Sequence, residues 1–595
     1  MKVSKLKIEN FRGIKSAELL FPDHVVLIGD NNTGKSTIFE AIDLALGPNR
    51  LNSHPVIDEH DFYNGEYLSK DDTIPAPKIL IETTITDLST EQRRHFKDYI
   101  EYWCEDAKSM HTSPPPSSVD TDTKKAALRI SFIGEYDPEE DDFVGKTFYS
   151  RSIEESDNPV SFLKKDKQRC GFLYLRSLRT GSRALSLERG SLLDIILRIK
   201  EIRPQMWEKT IEEIQNFNVA SDPNIGISGV LESIETSIKK YVPKEWGVSP
   251  HLKVSNLTRE HLRKVVTAFI ATGDGEHAGP FYCQGTGTLN ILVLAMLSQI
   301  AQDKQNVIFA MEEPETAIPP YTQKRIIHEI RKLSAQAFFT SHSPYVLEEF
   351  SMKETVVLSR DSSGILKQLN IVLPDSIKQK RYRQDFRTRF CEGLLSRKVL
   401  IAEGATETSA MPIAARRLSK LKPNDYTSFE ALGICTIDAG GESNIPDFSS
   451  FYKNLGKRVF AVCDKQSNTN RSKIEKTVEK LFMHDEDGFE QLVLKGTTKA
   501  AIDRFIDALE WPQHLKTKFP DPKSDSTNAL IEYFLWSKGN WSIADFLAQC
   551  EEDEIPGWIK NTCQDLRLQC ENAPEKSVKT IQVETEAVTS EDSLV

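Results

Sequence analysis

Short apolar runs that stop abruptly at glycine or acidic residues recur along this chain, and stretches with helical spacing follow them. Val25–Ile28 is apolar throughout and reads as a buried strand; Thr37–Leu46 behind it has helical periodicity. Lys78–Ile85 alternates like a half-buried strand, and Leu289–Leu297 reads as an apolar helix. Val307–Met311 and the run from Ala337 are further strands. A second series begins with Val399–Ala402, continues with helical Ser409–Leu418, and adds strands at Ile434–Ile437 and Arg458–Cys463. Strands alternating with helices predict an α/β chain.

The breaks in this pattern divide the chain. Residues 1–190 form a first α/β part, with a flexible insertion near 105–145 marked by the prolines of 113–118 and the acidic run Asp137–Asp142. Residues 191–248 are helix-rich, with apolar spacing at Leu192, Leu193, Ile196, Leu197, Ile211 and Ile214. This segment reads equally as a dimerisation arm or as plain packing. Residues 249–372 return to α/β alternation. Residues 373–395 are basic and turn-rich (Lys378, Lys380, Arg381, Arg383, Arg387, Arg389) and read as a linker. A second α/β domain spans 396–570, and the acidic tail 571–595 is expected to be disordered.

Composition adds bounds. A chain of 595 residues exceeds one core and suggests roughly three to four domains. Its 39% apolar and 28% charged content is that of ordinary globular protein. A net charge of −12 excludes a uniformly basic nucleic-acid coat and leaves local basic clefts open. Met1–Lys7 alternates like a strand and carries no signal-peptide core. Leu289–Ala301 is too short and interrupted to span a bilayer, so no membrane association is expected. Nine scattered cysteines without a C-x-x-C pair suit a reducing cytoplasm and indicate no zinc site.

The chemistry starts at Gly29-Asp-Asn31-Asn32-Thr33-Gly34-Lys35-Ser36, a phosphate-binding loop between a strand and a helix that includes Thr37. Backbone N–H groups would cradle phosphates, Lys35 would reach the β- and γ-phosphates, and Ser36 would hold Mg²⁺. The strand Val307–Met311 delivers Glu312 and Glu313, a Walker B arrangement, with Glu312 assigned to the metal and Glu313 to the attacking water. ATP is therefore the expected cofactor. In the second domain Glu403 follows a strand, Glu407 lies on the next helical turn, and Asp438 and Asp464 end two further strands. Such carboxylates suit Mg²⁺ or Mn²⁺ and phosphodiester chemistry, although unrelated strand-end acids are common.

Gln284-Gly285-Thr-Gly287-Thr288 resembles the signature motif of ABC-type ATPases, which touches nucleotide on a second head, and His342 resembles their switch histidine. That resemblance implies a homodimer or a higher even-numbered oligomer. Residues 55–65 offer no Q-loop glutamine; His60 and Asp61 stand there. The opening Ile8–Gly13 resembles the DNA-repair branch of these ATPases.

With the Glu403–Glu407 and Asp464 motifs, the chain resembles the OLD (overcoming lysogenization defect) family of ATP-dependent nucleases, roughly over 1–90 and 165–550. The implied fold is an ABC-type ATPase head with an inserted helical segment, followed by a Toprim α/β domain. The family's D-x-D reads Asp464-Lys465-Gln466, so one carboxylate is missing and position 466 is expected to contribute little. The resemblance adds Glu490 as a metal ligand and Lys538 as a catalytic cation. Arg176 and Arg179 would contact phosphates or stand as a solvated pair. It implies a DNA endonuclease gated by ATP and a role in anti-phage defence, either alone or with a helicase-like or reverse-transcriptase partner. The alternative is a repair-type ATPase whose Toprim-like domain binds DNA without cutting it.

Overall fold

A strand buried on both faces cannot alternate, because water is absent on either side. That is the state of β3 (His24–Ile28), whose Val25, Val26, Leu27 and Ile28 are fully buried in the computed structural model. The structure describes residues 1–48, 56–69, 75–111, 124–175, 187, 191–199, 203–216, 227–240, 258–271, 278–303, 307–316, 319–369, 371, 387–537 and 541–571. The chain separates into two units, one of Met1–Arg360 with Gly364–Ile371, the other of Asp361–Ser363 with Val372–Val595.

The first unit opens with β1 (Lys2–Phe11), β2 (Ile14–Leu20) and β3, then α1 (Lys35–Leu46) and β4 (Ile79–Thr86). Strands β5 (Glu101–Cys104), β6 (Ser109–Met110), β7 (Lys124–Asp137), β8 (Asp142–Tyr149) and β9 (Phe172–Leu175) follow. Helices α2 (Leu192–Ile199), α3 (Arg203–Asn216) and α4 (Ile227–Ile238) precede the hairpin β10 (Phe269–Ala271) and β11 (Ala278–Pro280). Then come α5 (Thr286–Asp303), β12 (Ile308–Glu312), β13 (Gln336–Thr340), β14 (Thr355–Arg360) and β15 (Ile365–Leu369).

Among the described residues one large sheet runs β6-β5-β7-β4-β1-β2-β15-β14-β3-β13-β12-β9, with β8 paired to β7. The strands from β14 to β9 are parallel, and β3 lies between β14 and β13. The antiparallel wing from β1 to β8 packs into the same core as α1. Helix α2 packs on α5.

Two expectations change here. The acidic stretch near 137–142 is no flexible insertion: it turns the β7–β8 hairpin, with Asp137 paired to Asp142. Buried Leu128, Ile130 and Phe132 on β7 supply the core face that outweighs the polar composition. The prolines of 113–118 lie outside the described residues. The presumed linker ends as a helix, Arg387–Leu395, which buries Phe390, Cys391 and Leu394 on one face.

The second unit holds a four-stranded parallel sheet of β16 (Lys398–Ala402), β17 (Ile434–Asp438), β18 (Arg458–Cys463) and β19 (Lys480–Met483), ordered β17-β16-β18-β19. Helices α6 (Ala405–Leu421), α7 (Phe489–Lys495) and α8 (Gly557–Glu571) contribute to its core with Met411, Val493 and Ile559. The tail after residue 571 lies outside the described residues.

Candidate nucleotide and metal sites

In the first unit Gly34 caps α1 at φ 111° and Gly29 stands at φ 159°, backbone states that L side chains rarely adopt. A Cβ on Gly34 would also meet Ile14 Cδ1 at 3.2 Å. Asn32 is left-handed too, at φ 69°. The loop therefore folds back on itself: Thr33 Oγ1 donates to Asp30 O at 2.8 Å, and Lys35 Nζ donates to Gly29 O at 2.8 Å and Asp30 O at 3.0 Å. Asn31, Asn32 and Ser36 are exposed, Thr33 and Lys35 are buried, and Thr37 is half-buried. Burial lowers the Lys35 pKa, against the pull of Asp30 and Glu313.

The parallel register pairs Glu312 with Thr340 and brings the ends of β12 and β13 beside that loop. Tyr174 Oη donates to Glu312 Oε1 at 2.7 Å. Glu313 follows in a left-handed conformation, φ 44°, which costs a non-glycine residue about 1–2 kcal/mol. Its N–H donates to Thr340 O at 3.0 Å, which holds the turn. Glu315 Oε1 accepts from the His342 backbone N–H at 2.7 Å, and burial raises the Glu315 pKa. Burial lowers the His342 pKa, helped by the Lys35 charge and opposed by Glu313. Lys35, Glu313 and His342 are thus within electrostatic reach of one another. Asp61, in place of a Q-loop glutamine, takes the Arg12 guanidinium at 2.7 Å, and Arg12 also pairs with Glu40 at 2.7 Å. Gly285 is exposed just before α5, and Gly287 lies in its first turn.

In the second unit the register decides the geometry. Ala402 is level with Asp438 and with Val462, and Cys463 with Met483. The residues leaving these strands, Glu403, Asp464 and His484, therefore emerge at one edge of the sheet, the ligand crevice of open parallel sheets. Glu403 Oε2 accepts from the Asp464 N–H and from Gln466 Nε2, both at 3.2 Å. Glu407 and Glu490 sit in the first turns of α6 and α7, both buried. Gly404 precedes α6 in extended conformation, so its role is room rather than a left-handed turn: a Cβ there would stand 3.3 Å from Glu407 Oε2. Gly441 does need positive φ, at 132°, and its N–H donates to Glu403 O at 2.8 Å.

These carboxylates crowd each other. Burial pushes Glu407 up to about 7, with Asp464, Glu403 and Glu490 adding repulsion. Burial and the Asp464 charge raise Glu403. One Asp464 oxygen, Oδ1, accepts no hydrogen bond but stands 2.9 Å from His484 Nε2. Among the described residues no three acidic, histidine or cysteine side chains already stand in ligating arrangement, so an ion would have to draw them in by side-chain rotation. The donor set nevertheless suits a hard divalent cation: buried anionic oxygens, one of them without a hydrogen bond. Lys538, Arg176 and Arg179 lie outside the described residues.

His484 was not singled out from the sequence. Its signal was there, a polar residue directly after the apolar run Leu481–Met483, the same pattern that marked Glu403 and Asp464.

An AAA ATPase domain family matches residues 1–89 and 191–347, and the OLD-like TOPRIM domain family matches 394–465. The Old nuclease of Escherichia phage P2 is 20% identical over 493 residues, 79% of this chain and 78% of that protein. The chain thus pairs an AAA ATPase domain with an OLD-like TOPRIM domain and is similar along most of its length to that Old nuclease. Among solved structures, an SMC head bound to the C-winged helix domain of ScpA covers 63% of this chain and 100% of its own, at 14% identity and TM-score 0.35. The C-terminal region of the Burkholderia pseudomallei OLD protein covers 29% of this chain and 98% of its own, at 14% identity and TM-score 0.23. The fold is α/β with an ATPase head and a C-terminal Toprim domain. Among the described residues no helix is long and apolar enough to cross a membrane.

Proposed function

We propose that this OLD-like chain is an ATP-gated DNA endonuclease whose Toprim domain cuts or nicks phosphodiester bonds with Mg²⁺ or Mn²⁺. The observation that carries this reading is the shared strand edge of Glu403 and Asp464, with Glu407 held at a pKa of about 7 beside them. Bound divalent ions supply an activated water and stabilise the leaving oxygen. Glu403, Glu407, Asp464 and Glu490 would hold them, and Gly441 and Gln466 orient Glu403 through its backbone and its Oε2. Lys538 would stabilise charge on the scissile phosphate.

In the head, the loop Gly29–Ser36 with Thr37 binds the triphosphate, Lys35 turns from the loop carbonyls to the phosphates, and Ser36 and Glu312 hold Mg²⁺. Glu313 orients the attacking water, and His342 responds to the γ-phosphate position. Gly285 and Gly287 serve the nucleotide of a second head, so the active form is a homodimer or a larger even-numbered assembly. A cytoplasmic role in anti-phage defence, alone or with a helicase-like or reverse-transcriptase partner, follows from the family.

A second reading has one observation in its favour. Gln466 stands where the D-x-D carboxylate is expected, is buried, and donates to Glu403. A Toprim-like domain lacking that charge could bind DNA without cutting. Relaxation of supercoiled plasmid with Mg²⁺, Mn²⁺ or EDTA separates the two: metal-dependent nicking that Glu403→Ala abolishes supports the nuclease. Nicking insensitive to EDTA, or no nicking with DNA binding retained, supports the ATPase clamp.

A further inference from the structure

A buried imidazole with neither nitrogen hydrogen-bonded forfeits about 1–3 kcal/mol per unpaired polar atom, so it needs another partner. His484 is such a residue. It is 4% exposed, and neither Nδ1 nor Nε2 has a hydrogen-bond partner. Its ring is held edge-on by Trp558, with centroids 5.1 Å apart, and Phe489 lies at 6.3 Å. The Trp558 indole is itself fixed, donating to Met483 O at 3.3 Å.

This locked ring is aimed at the carboxylate cluster. Nε2 stands 2.9 Å from Asp464 Oδ1, an ion-pair distance when the ring is protonated, although neither atom makes a hydrogen bond. Two donors each about 2.1 Å from one ion, at neighbouring octahedral positions, stand about 3 Å apart. The spacing of Nε2 and Oδ1, which an ion pair of the metal-free site also takes, is that of two ligands of one cation.

We infer that His484 Nε2 is a metal ligand in the Toprim site, sharing one ion with Asp464 and standing in for the carboxylate that Gln466 does not supply. The inference rests on the metal-site reading above and adds its chemistry. Gln466 is turned away from that task, since its amide donates to Glu403 and accepts from Asn470 Nδ2 at 2.7 Å. A nitrogen donor in place of an oxygen softens the site. Mg²⁺ holds to oxygen ligands, whereas Mn²⁺, the first member of the Irving–Williams series, accepts a nitrogen donor among oxygens more readily, so His484 tilts the site from Mg²⁺ toward Mn²⁺.

The test is pulsed electron paramagnetic resonance of Mn²⁺ on the full chain without nucleotide, with uniform or ¹⁵N-histidine labelling. The wild type is expected to show the coupling of a directly bound histidine nitrogen, changed by ¹⁵N-histidine, lost in Glu403→Ala and His484→Gln, and kept in His342→Ala. Competition titrations should show Mn²⁺ affinity falling about tenfold or more in His484→Gln, with Mg²⁺ affinity falling less. Absence of histidine-nitrogen coupling in the labelled wild type overturns the His484 assignment without any variant, so a variant that fails to fold does not blunt that arm. Mn²⁺ bound in a Glu403-dependent way without nitrogen coupling overturns the His484 assignment and leaves the carboxylate site standing. No Glu403-dependent Mn²⁺ at all overturns the metal-site reading itself.

Discussion

Gln466 Nε2 donates to Glu403 Oε2 at 3.2 Å, and the same oxygen accepts the Asp464 N–H. Position 466 is therefore engaged with the central carboxylate, where the sequence suggested a bystander. The amide neutralises no charge, but it fixes the direction in which Glu403 presents its other oxygen.

Gln466→Ala should consequently raise the Mg²⁺ or Mn²⁺ concentration needed for half-maximal cleavage. Loss of one hydrogen bond of about 1 kcal/mol corresponds to roughly fivefold. Gln466→Asp should tighten metal binding while lowering the stability of the metal-free protein, since it adds a further anion to a crowded edge. Metal titrations and EDTA-treated thermal melts on both variants check this; unchanged behaviour in both would refute a positioning role.

The two units should fail separately. Glu403→Ala and Asp464→Ala are expected to lose nicking by on the order of a hundredfold or more, because metal charge at the leaving oxygen is lost. ATP hydrolysis by both variants should stay within about twofold of wild type. Parallel plasmid and phosphate-release assays make the comparison.

In the head, Lys35→Ala should abolish or severely weaken hydrolysis, and Glu313→Gln should bind ATP while hydrolysing it poorly. Replacing Glu313 with glycine tests its backbone: relief of φ 44° should stabilise the fold slightly, by about 1 kcal/mol, while activity is lost. Wild-type turnover in Lys35→Ala and Glu313→Gln would refute the ATP site.

Glu407 sets a pH dependence. Its folded-state pKa of about 7 lies above the carboxyl's ordinary 4.5, so the folded protein binds the extra proton between those values. Stability of the metal-free protein should fall as pH rises through that window, by up to about 3 kcal/mol, and Glu407→Gln should flatten the dependence. An ion must displace the same proton, so metal affinity should climb with pH until about 7 and then level off. Chemical denaturation with EDTA at pH 5 and 8, beside Mn²⁺ titrations at both, reads both signs.

In the proposed composite site Gly285 and Gly287 serve the nucleotide of a second head. Light scattering should find a dimer or larger even-numbered species, with Gly287→Asp weakening hydrolysis without changing ATP binding. A strict monomer with and without ATP would refute the composite site.

Local sequence settled the elements nearest the chemistry. Four apolar residues before Gly29, and four before Glu403, can only be buried strands, and the glycines, hydroxyls and acids that end them are short-range signals. Composition misled where a long-range face mattered. The acids of 137–142 do make an exposed turn, but it closes a hairpin and not a flexible insertion, because β7 had Leu128, Ile130 and Phe132 to bury against α1. Helix Arg387–Leu395 was hidden the same way, beneath its arginines.

Which strand ends share an edge was beyond reach of the sequence. Spacing along the chain does not encode that β16 lies between β17 and β18, nor that β19 follows β18. That order brings together Glu403, Asp464 and His484, which are separated by 61 and 20 positions in the chain. Burial and mutual repulsion, which shift Glu407 and orphan the His484 nitrogens, exist only once the sheet has closed over them. Residue types could be read one at a time; their electrostatics belong to the fold, because charges interact through space and not along the chain.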